Sequence, residues 1–101
     1  MDTTINIEPG RATLALSGRF DFNAHRTFRE ASESAVNQPD VREIQLDLGR
    51  VSYIDSSALG MLLMLRDKAR TAHKGVRIAN CAGSVREVLE IANFNKLFSM
   101  S

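Results

Sequence analysis

One carboxylate and two hydroxyls form the part of this sequence best suited to chemistry. Asp55, Ser56 and Ser57 follow a short alternating pattern and precede a long apolar stretch with helical spacing. A helix N-terminus offers free backbone N–H groups and the positive end of the helix dipole. Any of these side chains can therefore cap the helix, a contribution of about 1 kcal/mol, and a serine there can also carry a phosphate.

A phosphate on Ser56 would change the charge of this turn more than its structure. It would add roughly −1.5 to −2 charges, which a helix N-terminus tolerates and which the carboxylate of Asp55 would repel. The fold should survive this change. A protein docked over the turn would have to accommodate the phosphate in its interface, so we expect docking to fail.

Two methionines lie further along the same predicted helix, on or beside the side expected to face water. Steps of three and four residues back from Asp67 pass through Met64 and Gly60, and Met61 lies at the edge of this line. Methionine is flexible and polarizable, and it recurs at adaptable binding surfaces. The pattern predicts either an exposed methionine pair that receives a partner or a second element that covers both side chains.

The elements that would position these residues follow from the spacing of apolar side chains. Pro9 and Gly10 favour a type II turn and hence an opening hairpin. The order strand, strand, helix, strand, helix, strand, helix predicts a mixed sheet with helices packed on it. The predicted strands contain Ile5 and Ile7, then Ala12, Leu14 and Leu16, then Ile44, Leu46 and Leu48, and finally Val76–Cys81.

Caps and stops set the predicted ends of the helices. Asn23 is the expected N-cap of the first helix, and the second runs from about Ser57 to His73 with Gly75 as its stop. Ser84 and Glu87 have the spacing of a capping box for the last helix. Gly49 is expected to end the third strand, and Phe94, Leu97 and Phe98 to fold back onto the core.

Length and composition restrict the classes of protein. The chain has 101 residues, which suits one domain spanning 1–101, and its 13 basic and 12 acidic residues are mixed along the sequence. The sequence has no cluster of basic residues of the kind that binds nucleic acid or a membrane surface.

Cys81 is the single cysteine, so no disulfide framework is expected within the chain, and a buried role in a strand is favoured. His25 and His73 lack the spacing of metal ligands, and no cofactor or metal is expected.

Localisation is predicted from the absence of targeting signals. No signal peptide is recognisable at the N-terminus, and the longest apolar run, Ala58 to Leu65, is far too short to span a bilayer. The expectation is a cytoplasmic protein.

The serine motif in its strand–helix context resembles the signature of STAS domains, and most closely that of bacterial anti-sigma-factor antagonists. Asp55–Gly60 follows Leu46–Leu48 and Ile54, and Gly18–Asp21 occupies the place of the family's Gly-Glu-Leu-Asp segment. The similarity extends over nearly the whole chain. It implies a single STAS-like α/β domain: a mixed β-sheet opened by an N-terminal hairpin, with helices mainly on one face.

The resemblance also implies a function called partner switching. The unmodified protein would bind an anti-sigma factor, often a serine kinase with a histidine-kinase-like ATP-binding fold, and so free a sigma factor. Phosphorylation of the first serine after the Asp would break that complex, and a PP2C-type phosphatase would restore it. The protein would be a non-enzymatic regulator, with a monomer as the default state when free.

Residue roles carry over from the resemblance position by position. Ser56 is the implied phosphoacceptor, Ser57 a neighbouring cap or minor site, and Asp55 the acid before the acceptor. Asp21 matches an acid near the acceptor that contributes to partner contact. The implied partner-binding residues are Asp21, Asp55, Ser56, Ser57, Ala58, Met61 and Met64.

Two positions depart from the family's pattern. Ala58 stands where many members have glycine, and it is small enough to keep the surface accessible. Arg19 stands where the family usually has an acid, which reverses a charge near the implied interface and suggests a partner with a different charge pattern.

Three alternatives come from other classes or other uses of the fold. An enzyme with Ser56 or Ser57 as nucleophile needs a nearby base, but His73 would lie about 24 Å from the motif along a straight helix, and no Gly-x-Ser-x-Gly motif is present. A carrier protein with a prosthetic arm on Ser56 would normally be an acidic helical bundle. The third alternative, and the main one, is a STAS scaffold in a larger sensory complex without a phosphorylation cycle.

Overall fold

A hairpin opens the chain, as Pro9 and Gly10 predict. In the computed structural model, which describes residues 1–100, strands β1 (Asp2–Glu8) and β2 (Gly10–Phe20) pair antiparallel. Gly10 has φ +86°, a left-handed conformation that favours glycine at the turn. The hairpin is the antiparallel part of the sheet.

The remaining strands all run parallel, so the prediction of a mixed sheet is confirmed. Strands β3 (Val41–Ile54), β4 (Gly75–Ala79) and β5 (Ser99–Met100) extend the sheet in the order β1-β2-β3-β4-β5. Buried apolar residues alternate with more exposed ones along β2 and β3, because one face of the sheet is covered by helices. The fold is a small α/β domain.

Strand β3 is longer than the alternating pattern indicates. Gly49 does not end it, because the parallel pairing with β2 resumes after a register shift between Ala15 and Ser17 and continues to Ile54. A Cβ on Gly49 would lie 3.1 Å from Asp47 Oδ1 and 3.2 Å from Asn80 Cβ. Glycine is therefore needed here for close approach, and it does not break the strand.

Three helices cover the sheet: α1 (His25–Val36), α2 (Ser56–Thr71) and α3 (Gly83–Ile91). Their apolar stripes form the core, as predicted. The buried apolar residues of the helices are Phe28, Ala31 and Ala35 of α1, Ala58, Met61, Leu62, Leu65 and Ala69 of α2, and Val85 and Leu89 of α3. Phe28 stacks on Phe20 at the end of β2 with ring centroids 5.0 Å apart, which attaches α1 to the sheet.

The helix ends differ from the sequence expectations. A 3₁₀ turn, Phe22–Ala24, precedes α1, and its cap is Asp21, whose carboxylate accepts a bond from the Asn23 amide. Asn23 is therefore not the cap. The second helix stops at Thr71 because His73 takes a left-handed φ of +61°; Gly75 instead begins β4.

The C-terminal segment confirms the expected packing in part. The cap of α3 is Ala82, with no side-chain cap bond, so the capping box predicted at Ser84 is wrong. Phe94 and Phe98 are buried with their rings 5.5 Å apart, whereas Leu97 is exposed. Cys81 is buried as expected, but it lies two residues beyond the end of β4 rather than within the strand.

Candidate functional site

The serine motif forms the turn between β3 and α2, and Asp55 is its structural residue. The Asp55 side chain accepts a hydrogen bond from the Ala58 amide at 2.9 Å, and its own amide donates to the Phe20 carbonyl at 3.3 Å. Asp55 is thus the N-cap of α2 and also ties the helix to the end of β2. Of the two roles implied for Ser57, a helix cap or a minor phosphorylation site, the cap is wrong, because the Asp55 carboxylate occupies that position.

Both serines are left exposed on the first turn of α2. They occupy the first two helical positions, after the cap, where backbone N–H groups have no partner within the helix. Ala58, by contrast, is fully buried, so its side chain is not available for the partner contact that the resemblance implies for it. A side chain at this position faces the core, which is why only a small residue fits there.

Asp21 lies at the same edge of the sheet as the serine motif. Phe20 and Ile54 pair in the parallel register of β2 and β3, so the residues that follow these strands leave the sheet side by side. The Asp21 carboxylate accepts from the Asn23 amide at 3.0 Å and lies 3.6 Å from the Arg19 guanidinium. The sheet therefore places the backbone of Asp21 next to that of Asp55, whose amide bonds to the residue before Asp21.

Arg19, the residue that departs from the family's pattern, lies in a defined setting. Besides its contact with Asp21, its guanidinium stacks 4.1 Å from the centroid of the Tyr53 ring. Arg19 and Tyr53 are paired neighbours on β2 and β3, and both are exposed. The positive charge is therefore fixed at the sheet edge, beside an aromatic ring.

Sequence reasoning missed one large exposed side chain beside the motif. Phe22 is 67% exposed in the 3₁₀ turn that leads into α1, and this turn packs against α2. Its position off the apolar stripe of Ala24 and Phe28 is the signal that could have identified it. Exposed aromatic residues are typical anchors of protein interfaces.

The two methionines have different environments. Met61 is buried, with 5% of its surface exposed, because α1 packs over this side of α2; Met64 is 47% exposed. Of the two alternatives left open by the sequence, cover by a second element holds for Met61 and exposure holds for Met64, so Met61 is not available for the partner contact that the resemblance implies for it. Gly60 and Leu63 complete the exposed ridge that leads from the serines to Met64, and a Cβ on Gly60 would meet no atom within 4 Å.

The histidines lie outside this turn. His25 begins α1 and lines the cleft between α1 and α2, and His73 follows the C-terminal end of α2. Among residues 1–100, no group of three or more His, Cys, Asp or Glu side chains is arranged to hold a metal ion. In the same part of the chain, no helix has the length and apolar character needed to cross a membrane.

Comparison with known proteins identifies relatives along nearly the whole chain. A STAS-domain-containing protein of Pseudomonas aeruginosa is 47% identical over 89 residues, which cover 88% of this chain and 86% of the relative. BtrV of Bordetella bronchiseptica, described as a candidate anti-sigma factor antagonist, is 32% identical over 72 residues, covering 71% of this chain and 62% of BtrV.

Solved structures show the same fold. The Bacillus anti-sigma factor antagonist SpoIIAA in its unphosphorylated form superposes with a TM-score of 0.76 at 20% identity, covering 99% of this chain and 87% of SpoIIAA. SpoIIAA in its phosphorylated form superposes with a TM-score of 0.75 at 19% identity, covering 99% and 91%. The family model described as the MlaB-type STAS domain matches residues 3–99. With the hairpin, the parallel strands and the Asp55 turn in place, this chain belongs to the STAS domain family.

Proposed function

We propose that this protein is an anti-sigma-factor antagonist whose docking on its partner is controlled by phosphorylation of Ser56. The observation that carries the proposal is that one residue of the β3–α2 turn caps the helix while a different residue presents an exposed hydroxyl. Asp55 caps the helix, so the exposed Ser56 hydroxyl is not required for the fold and is free for modification. The relatives support the choice of function, since BtrV is described as a candidate anti-sigma factor antagonist and SpoIIAA as an anti-sigma factor antagonist.

The docking surface is defined here as Asp21, Phe22, Ser56, Ser57 and Met64. Its acidic end is formed by the two turns that follow the C-terminal ends of β2 and β3. Its apolar part consists of Phe22 and Met64, which are 67% and 47% exposed. A phosphate on Ser56 would add roughly −1.5 to −2 charges at the acidic end, beside Asp55. A partner that closes over the turn without a cation placed to pair with the phosphate would then have to bury an uncompensated anion, which costs several kcal/mol.

The partner, in this proposal, is an anti-sigma factor that is also a serine kinase with a histidine-kinase-like ATP-binding fold. A PP2C-type phosphatase reverses the modification. The protein itself supplies no catalysis, is monomeric when free and acts in the bacterial cytoplasm. Arg19 and Tyr53, next to the docking surface, add a charge and a ring that favour a partner with an acidic group at that point.

The test begins with identification of the partner. Ser56→Ala is used as bait in the native host, and the captured kinase is purified and incubated with ATP and each variant. We expect phosphate uptake by the wild-type protein and by Ser57→Ala, and none by Ser56→Ala, which should remain bound. Ser57→Ala is a matched control, because it removes a neighbouring exposed hydroxyl from the same helical turn.

Two results would contradict this assignment. Undiminished phosphate uptake by Ser56→Ala would move the site elsewhere, and a stable complex without phosphate uptake in any variant would favour a STAS scaffold without a cycle.

Ser56→Asp should lower partner affinity while the unfolding midpoint changes little, since an acid is favourable in the first turn of a helix.

A further inference from the structure

A surface groove lies between the C-terminal half of α2, the start of β4 and the residues that lead into β5. It holds about 440 Å³ of empty space, part of it open to solvent, and about 210 Å³ of it admits the centre of a water molecule. The corresponding volume in the cleft between α1 and α2 is only about 20 Å³, room for little more than a single water. The groove, in contrast, is wide enough to receive side chains of another molecule.

Three cations line the groove. Arg66 and Arg70 lie one turn apart on α2, with their Cβ atoms about 6 Å apart, and Lys74 follows in the turn that leads to β4. No carboxylate is among the described residues of the lining. Asp67, the acid between the two arginines in sequence, lines a different depression with Arg70 and Thr71. The groove therefore has an excess of positive charge.

Two of these cations are held in place by the fold, and the third is unused. Arg66 Nε donates to the Leu97 carbonyl at 3.1 Å, which leaves the N–H groups of its two Nη atoms available. Lys74 donates to two backbone carbonyls. Within residues 1–100, Arg70 forms no ion pair; the basic residues that do are Arg11, Arg19, Arg26, Lys68 and Arg86.

The rest of the lining is apolar. It consists of Val76, Leu97 and Phe98, together with Gly75. Leu97 is 39% exposed, whereas Phe98 is buried against Phe94, so an accessible leucine lies beside a fixed apolar side chain. The dipole of α2 accounts for cations near its C-terminal end, but it does not account for apolar surface next to them. This combination suits a ligand that carries both negative charge and an aliphatic side chain.

We propose that the groove binds an acidic segment of a partner protein, in which carboxylates flank an aliphatic side chain. Arg66 and Arg70 bind the carboxylates through paired N–H···O bonds, and the aliphatic side chain lies against Val76 and Leu97. Nucleic acid is a poorer match, because the lining offers no exposed aromatic ring on which a base could stack. The site lies about 21 Å along α2 from Ser56, and the proposal does not depend on phosphorylation there.

The experiment is an NMR titration of the full-length protein with the capped peptide acetyl-Glu-Glu-Leu-Glu-Glu-amide, followed through backbone amide shifts. We expect saturable shifts confined to the C-terminal half of α2, the start of β4 and residues 94–98. The neutral analogue with glutamine in place of each glutamate has the same shape and should cause none. The analogue with serine in place of leucine should bind more weakly, by about tenfold, through loss of a buried leucine side chain.

A charge reversal with a matched control tests the assigned arginine. Arg70→Glu should weaken binding of the acidic peptide by at least about tenfold, since an attraction becomes a repulsion. Arg50→Glu makes the same charge change on another exposed arginine, about 23 Å along β3 from the residue that pairs with Gly75. It should bind the peptide within about twofold of wild type, because a charge at that distance is screened.

Arg70→Gln gives a readout that a purely structural role would not produce. It removes the charge from an exposed side chain, so the unfolding midpoint should stay the same. Peptide binding should lose most of its dependence on salt between about 0.05 and 0.5 M NaCl. A salt dependence equal to that of wild type would overturn the assignment of Arg70.

Other results would overturn the site as a whole. These are the absence of saturable shifts, equal binding of the acidic and neutral peptides, and binding of the acidic peptide by Arg70→Glu within about twofold of wild type. Tighter binding of a single-stranded oligonucleotide or of phosphatidylglycerol vesicles than of the acidic peptide would overturn it as well, since the ligand would then be a polyanion or a membrane. Failure of phosphate uptake at Ser56 would leave the groove unaffected, so the two proposals are tested separately.

Discussion

At the scale of single residues, different side chains of the β3–α2 turn hold the fold and face outward. Asp55 holds the helix through the Ala58 amide and holds the sheet edge through the Phe20 carbonyl. Ser56 and Ser57 take no part in those bonds. A modification of either hydroxyl therefore acts on whatever approaches from outside, and the folded scaffold beneath it is retained.

The capping role of Asp55 leads to a prediction on stability. Asp55→Ala should lower the free energy of unfolding by about 1 kcal/mol, since the Ala58 amide loses its acceptor. Asp55→Asn should retain most of that stability, because asparagine is an equally good N-cap. Urea denaturation monitored by circular dichroism measures both; an equal loss in the two variants would show that the charge, rather than the cap, is what matters.

At the scale of elements, α2 has two sides with different tasks. Met61 faces α1 and is buried, while Met64 lies on the exposed ridge with Gly60 and Leu63. Residues only three apart in the sequence therefore serve the core and the surface, respectively. The helix can contact a partner without loss of its own packing.

This division predicts opposite outcomes for two chemically identical substitutions. Met64→Asp should leave helicity and the unfolding midpoint nearly unchanged and weaken the complex with the captured kinase, because it places a charge in the apolar part of the docking surface. Met61→Asp should cost more than about 3 kcal/mol of stability, since it buries an unpaired charge. Circular dichroism and a binding titration separate the two effects. A large loss of helicity in Met64→Asp would show that this side chain belongs to the core.

Gly60 permits a gain in stability within the same helix. A methyl group there would meet no atom within 4 Å, so Gly60→Ala should raise the free energy of unfolding by about 0.5–1 kcal/mol through helix propensity alone. Gly49→Ala is the opposing control, because its methyl group would crowd Asp47 and Asn80 and should destabilise the protein. Denaturant titration measures both, and a loss in Gly60→Ala would mean that the ridge is not open.

At the scale of the whole molecule, one lysine joins two distant connections. Lys74, in the turn between α2 and β4, donates to the carbonyls of Gln38 and Val41 at 2.5 and 2.6 Å. Gln38 lies in the connection between α1 and β3, and Val41 is the first residue of β3. The lysine thus holds the end of the sheet opposite the serine motif, where the two connections meet.

The loss of this link should be global in its effect. Lys74→Met keeps most of the aliphatic stem and removes the donor, so the free energy of unfolding should fall by about 2 kcal/mol through loss of hydrogen bonds from a charged group. Lys96→Met is a control on an exposed lysine and should change little. Thermal and urea denaturation give the comparison, while partner binding at the far edge should be unaffected at temperatures well below the midpoint. Equal stability of the two variants would contradict the link.

Local pattern alone determined the sheet class, the opening hairpin, the three helical stripes and the position of Ser56 at a helix start. These features depend on period and on neighbouring residues, such as Pro9 and Gly10, which act over a few positions. Tertiary structure decided the burial of Met61, the exposure of Phe22, the continuation of β3 through Gly49 and the choice of Asp55 as the cap. Periodicity reports that one side of an element is apolar, but what packs against that side comes from residues far away in the chain. The pairing of β2 with β3 and the packing of α1 on α2 are such long-range contacts, and they decide which residues of the motif and of α2 are exposed.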